Sequence, residues 1–237
     1  MLFRSTAEQV QLPVVTAFGT NKPGSNIDGT YPFLDGDEAI KQMTLAPGLK
    51  ANLFASEKQF PELVKPVQMA WDTRGRLWVA AWPSYPERTP TSRVADKILI
   101  LEDTDGDGRA DKTTVLFRGL ALGNEQHLVN GFAWSLDGWL HLANGDSGAK
   151  LESLQTGRTV DVGRRDFRIL PDTGEAEALI GGSQFGRSRD EWGNWFGCNN
   201  SNPLWHYALE ERYLRRNGRF VPPNAVVSVG AHAGAAR

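Results

Sequence analysis

The sequence predicts an all-β fold: a partial β-propeller of four-stranded antiparallel blades behind an irregular N-terminal segment. Three observations predict it. No long run carries a helical apolar period. The composition holds 25 Gly, 13 Pro and 8 Trp against 3 Met, a mix that favours short strands and tight turns. A strand–turn–strand unit also recurs along the chain.

Residues 1–45 read as an extension. Val10 to Phe18 could form a strand, and Gly19 to Asp37 is loop-like in its Gly, Pro, Asn and Asp content. Asp35 to Met43 places a capping Asp ahead of good helix formers, which predicts a short helix. Pro47 to Ala55 alternates after a turn and predicts a strand.

Residues 46–237 read as two to three blades, ending before a propeller would be complete. The recurring unit spans Met69–Ala80, Phe132–Ala143 and Gly186–Gly197. Its turn glycines are Gly75, Gly138 and Gly193, spaced 63 and then 55 residues apart. Glycine suits a turn that needs positive φ. A second strand pair follows the first unit (Lys97–Glu102 and Thr113–Arg118) and another follows the second (Arg165–Leu170 and Glu175–Ile180). Two hairpins make a four-stranded sheet, and such sheets bury their faces only by stacking. Trp71, Trp134 and Trp139 are expected in the blade core. The tail, Ala231 to Arg237, is poor in strand formers and fits fraying or truncation.

Composition narrows the function classes. The formal net charge is -2, with no basic cluster beyond Arg164-Arg165 and Arg215-Arg216, so nothing favours nucleic acid or an anionic membrane as partner. One cysteine, Cys198, rules out an internal disulfide, and no base partner marks it as a nucleophile. The chain has no apolar run long enough for a transmembrane helix. It also lacks a CxxCH motif, and Met1 to Gln9 does not read as a signal peptide.

Two segments carry chemistry. Asp103-Thr104-Asp105-Gly106-Asp107-Gly108-Arg109-Ala110-Asp111 puts carboxylates at alternate positions, with Gly108 allowing a sharp curl. Asp103, Asp105, Asp107 and Asp111 could converge on a calcium ion. Thr114 stands where an EF-hand needs its bidentate Glu, and the flanks are strands, so the loop resembles the shorter calcium loops of extracellular β-domains. In the second segment, His127 enters the second repeat and Asp146 leaves it. A hairpin sets its own ends side by side, so the two are expected to meet at one end of the blade. A carboxylate beside an imidazole orients it and raises its basicity, which equips it to take a proton from an alcohol.

From His127 to Gly148 the chain resembles soluble quinoprotein glucose and aldose-sugar dehydrogenases and sorbosone dehydrogenase-like propellers. The resemblance implies a six-bladed propeller. It also implies that His127 is the base, that Asp146 orients it, and that hydride passes to pyrroloquinoline quinone. From about residue 40 the chain is similar to large membrane-bound dehydrogenase-like proteins of planctomycetes and verrucomicrobia. The shared pieces lie at 103–111, 127–134 (HLVNGFAW), 143–148 (ANGDSG), 164–175 and 184–207. That likeness implies a periplasmic or cell-envelope setting, a sugar or alcohol substrate, and a cytochrome c domain as electron acceptor in a longer protein. The quinoproteins carry an arginine just before the third repeat. Gly182-Ser183-Gln184 stands there in this chain, and Arg187 and Arg189 fall a few residues late. Asn130, Asn144, Asn199, Asn200 and Trp205 are the candidate sugar contacts, offering amides for hydroxyls and a ring for stacking. Trp82 to Pro86 follows the first hairpin as Asn144 to Asp146 follows the second, and could line the same end. The alternative is a non-catalytic propeller that binds carbohydrate or scaffolds a cell-envelope assembly.

Overall fold

A computed structural model of the chain describes residues 34–85, 96–120, 126–216, 219 and 224–230. The expected strand at 10–18 and the tail at 231–237 lie outside the described residues, as does most of the 19–37 loop. The chain divides after Ala51 into two units. In the first, the expected helix forms as α1 (Gly36–Lys41). The Asp35 carboxylate accepts the Glu38 N–H at 3.1 Å, which satisfies one of the orphan donors of the first turn.

Among its described residues the second unit is all-β apart from one short helix. In chain order its elements are β1 (Pro66–Trp71), β2 (Leu77–Ala81), β3 (Lys97–Glu102), β4 (Lys112–Leu120), β5 (Asn130–Trp134), β6 (Leu140–Ala143) and β7 (Ala149–Ser153). Then come β8 (Thr159–Gly163), β9 (Phe167–Leu170), β10 (Glu175–Ala178), β11 (Arg187–Arg189), β12 (Trp195–Gly197), β13 (Trp205–Tyr207), α2 (Glu211–Leu214) and β14 (Val226–Ser228).

Three antiparallel sheets result: β1-β2-β3-β4-β7-β8, β10-β9-β6-β5 and β11-β12-β13-β14. Each opens with one of the recurring hairpins, and β5 lies beside both β1 and β11. No sheet closes on itself among the described residues. The hairpins repeat down to single hydrogen bonds. Gly75, Gly138 and Gly193 have φ of 75°, 83° and 90°. Each donates its N–H to the carbonyl three residues earlier, that of Asp72, Ser135 or Asp190. Asp72 and Asp190 each accept two further turn N–H groups through one carboxylate oxygen, as Asx turns do.

β2 and β3 are apolar at nearly every position because both faces of the first sheet are covered. Trp78, Ile98 and Ile100 face Leu140, Leu142, Phe167 and Ile169 of the second sheet. Leu77, Val79, Leu99 and Leu101 face Phe54, Phe60 and Leu63, from the segment before β1. Each such burial contributes about 1.5–3 kcal/mol.

Three expectations change. Residues 49–55 form no strand. The Phe54 carbonyl instead accepts the Ala110 N–H at 2.7 Å, and the ring packs edge-on to Trp71. The segment covers a sheet face instead of joining one. Trp71 is 52 % exposed and so lies outside the core. Trp134 is half-buried against the core, while Trp139 lies beneath the Arg168 guanidinium, 4.3 Å away. Finally, the hairpin of β7 and β8 has no counterpart in the sequence reading. It extends the first sheet at β4, although it lies between β6 and β9 of the second.

Candidate functional site

His127 and Asp146 flank the second hairpin, and glycine brings their segments together. A Cβ on Gly145 would lie 2.4 Å from the Leu128 carbonyl oxygen and 2.5 Å from the His127 carbonyl carbon. Only a residue without a side chain allows that approach. The Ser147 hydroxyl donates to the His127 carbonyl, and the Gly145 N–H donates to the Ser183 carbonyl at 3.0 Å.

The side chains part company. The imidazole of half-buried His127 meets Gln184, not Asp146. The Gln184 amide nitrogen lies against both ring nitrogens, 3.2 Å from Nδ1 and closer to Nε2. Its orientation is set by the rest of the chain. Oε1 accepts the Asn200 N–H at 2.9 Å, which turns the amide N–H group toward the ring. The Gln184 N–H donates to the Cys198 carbonyl, and its own carbonyl accepts the Asn130 amide. An amide N–H only donates, so the ring nitrogen it meets accepts, and in the neutral ring the other nitrogen carries the hydrogen. Phe185, 55 % exposed, stands edge-to-face with the imidazole at 6.2 Å. Asp146 adopts φ 65°, uncommon for a non-glycine residue. Its carbonyl accepts Arg164 Nε at 3.1 Å, and its carboxylate forms no hydrogen bond among the described residues.

Most of the expected sugar contacts serve the backbone. The Asn130 amide donates to the Leu128 and Gln184 carbonyls. Buried Asn144 donates to the carbonyls of Gly163 and Arg165, and Asn199 Oδ1 accepts the N–H groups of Ser201 and Asn202. Trp205 is buried in β13, so its ring is not open for stacking. Asn200 keeps an exposed side chain. Cys198 is half-buried, and burial pushes its thiol pKa up, away from a nucleophile's range.

The aspartate loop curls as its glycines suggest. Asp103, Asp105 and Asp111 each place a carboxylate oxygen within 4.8 Å of the others. Ligands of one calcium ion sit 2.3–2.6 Å from it, so two ligand oxygens lie at most about 5 Å apart, and these three fit that sphere. Asp107 is not in the group, and its carboxylate accepts the Arg109 N–H at 2.7 Å. The Gly108 N–H at 2.8 Å and that of Gly106 hold the Asp103 carboxylate below its ordinary pKa. Gln59 and Asn52 donate to the Ala110 and Gly108 carbonyls, which fastens the loop to the segment that covers the first sheet.

Sequence reading missed Gln184 and Phe185 as His127's partners, and a buried polar hub at Asp166. The Asp166 carboxylate accepts the N–H groups of Asn144 (2.9 Å) and Ser183 (2.8 Å), Arg187 Nη1 (3.2 Å) and the Tyr207 hydroxyl (3.3 Å). These partners come from loops and strands far apart in the chain. No local signal marks the hub, because its members meet only once the second and third sheets are assembled.

The His127 contacts are an amide and an aromatic edge. Neither is charged, and the Arg164 guanidinium stands at the Asp146 carbonyl.

A family model described as a domain of unknown function (DUF7133) matches residues 35–115 and 93–237. No curated protein matches the chain, and no solved structure does.

Proposed function

The chain belongs to the DUF7133 family, and on that footing we propose that it is part of a β-propeller that binds a sugar or similar polyol at the His127 end of its strands. The observation that carries this is the half-exposed Phe185 ring set against an imidazole whose proton position Gln184 dictates. A sugar has an apolar face for such a ring and hydroxyls for the half-buried imidazole and the exposed Asn200 amide. The propeller reading rests on the three repeated hairpins and the side-by-side placement of β1, β5 and β11. A panel of monosaccharides titrated by calorimetry tests it. Binding is expected, with at least a tenfold loss in Phe185→Ala, about 1.4 kcal/mol. No heat with any sugar, or an unchanged Kd in the variant, overturns the reading.

A second reading is oxidation of a sugar or alcohol hydroxyl, with electrons passing to a quinone-type acceptor and a cytochrome. The Asp146 carboxylate, without a hydrogen bond among the described residues and on a left-handed backbone next to the His127 segment, favours it. Proton abstraction needs the imidazole to leave Gln184 and meet Asp146. A dye-linked assay of the full-length protein, with and without quinone, separates the two. Turnover that His127→Ala abolishes supports oxidation, and equal rates in wild type and variant remove it.

The aspartate loop is proposed as a structural calcium site in either case. At a hundredfold excess over Kd, calcium contributes about 2.7 kcal/mol, a Tm rise of roughly 5–10 °C for a domain this size. Asp105→Ala should abolish the rise and Asp107→Ala should keep most of it. A calcium-independent Tm would exclude the site.

A further inference from the structure

A cavity of about 210 Å³ opens between the second and third sheets. It runs along the strands from the hairpin tips, where Leu136, Asp137 and Gly193 line it, to Ile180 and Arg187, and His127, Gln184 and Phe185 are not among its lining residues. It is smaller than the roughly 300 Å³ at which drug-sized pockets begin, so it suits a single sugar ring or a comparably small molecule.

Its polar lining is incompletely satisfied. Arg187 is 5 % exposed. Its Nη1 pairs with Asp166, yet its Nε is buried with no hydrogen-bond partner. His141 is 4 % exposed and stacked on Trp195 at 3.9 Å, and its Nδ1 is likewise buried and unpartnered. Arg189 lines the same cavity, half-buried, with no carboxylate within ion-pair distance among the described residues. The cavity's other arginines are matched: Arg168 by Glu177 and Asp137, Arg212 by Glu210. A buried donor without a partner costs roughly 1–3 kcal/mol and calls for an explanation. A guanidinium fork favours planar or tetrahedral oxyanions.

We propose that this cavity is a second ligand site, one that takes the oxyanion group of a monosaccharide-sized molecule, a carboxylate or a sulfate. The oxyanion meets Arg189, with the positive charge of Arg187 in the cavity wall behind it, and the apolar part of the ligand rests among Leu136, Ile180 and Trp195. The site shares no residue with the His127, Gln184 and Phe185 group, so either proposal can fail without the other.

The test is a titration of the full chain with glucuronate, glucose 6-sulfate and glucose, followed by calorimetry. One of the two anionic sugars is expected to bind, and which one identifies the oxyanion. Glucose is expected to bind at least about tenfold more weakly, as is the preferred anion to Arg189→Ala. Leu136, 88 % exposed at the rim, supplies a variant that does not disturb the core: Leu136→Glu should also weaken binding, by charge repulsion. Binding of neither anionic sugar, equal binding of glucose, or an unchanged Kd in both variants overturns the proposal.

Discussion

Replacing Asp166 by Ala should destabilise the protein by about 3–5 kcal/mol, because it strands a buried guanidinium. Asp166 is wholly buried and Arg187 nearly so, and the pair spans the second and third sheets. Asp166 also satisfies the N–H groups of Asn144 and Ser183, so the substitution orphans two donors besides the cation. The reverse substitution should cost less. Burial raises the Asp166 pKa to about 6, so without Arg187 the carboxyl can take up a proton and remain buried as the neutral acid. An arginine has no such escape. Urea unfolding of Asp166→Ala and Arg187→Met measures both. A loss below about 1 kcal/mol in the first, the level of a surface contact, or a larger loss in the second, would contradict the hub.

His141 and Asp166 should link stability to pH with opposite signs. Burial, then Arg187 and Arg168, lowers the His141 pKa from 6.5 to about 3. Between those values the unfolded chain holds the extra proton, so stability falls as pH drops through the window. Asp166 has its pKa raised from 3.8 to about 6, chiefly by burial. There the folded chain holds the extra proton, so stability rises as pH drops from 6 toward 3.8. From pH 7 to pH 4 the histidine contributes a loss of about 3 kcal/mol and the aspartate a gain of about 2 kcal/mol, so the wild type hides most of both. In His141→Phe, whose ring can keep the stack on Trp195, only the aspartate's slope of the pair survives. The stability difference between wild type and this variant should change by about 3 kcal/mol over that range. A difference that stays constant with pH rules out a neutral, desolvated His141.

What the sequence made legible was local. Asp-x-x-Gly turns, the runs 97–102 and 113–118, and the capped helix at 36–41 all announce themselves, because their signals lie within a few residues. The third sheet goes further than the start of a blade expected from the repeat, since β13 and β14 complete it. In the aspartate loop, alternate spacing brings Asp103, Asp105 and Asp111 together. Asp107 turns aside to cap Arg109, a choice of rotamer that spacing does not encode. The His127 neighbourhood was half legible. The hairpin rule placed its ends together, but Gln184 reached the imidazole from 57 residues away. The asparagines show the general difficulty. Composition marks them as polar, and only the folded backbone shows that its carbonyls and N–H groups have already claimed them.

The hairpin of β7 and β8 has a last consequence. Because it leaves the second sheet between β6 and β9 to finish the edge of the first, neither sheet can be completed from an uninterrupted stretch of chain. On a ribosome, residues 66–120 must wait for residue 163 to emerge before their outer edge is covered. Under tension the two sheets should rip in a single event, where independently threaded modules would give way one after another.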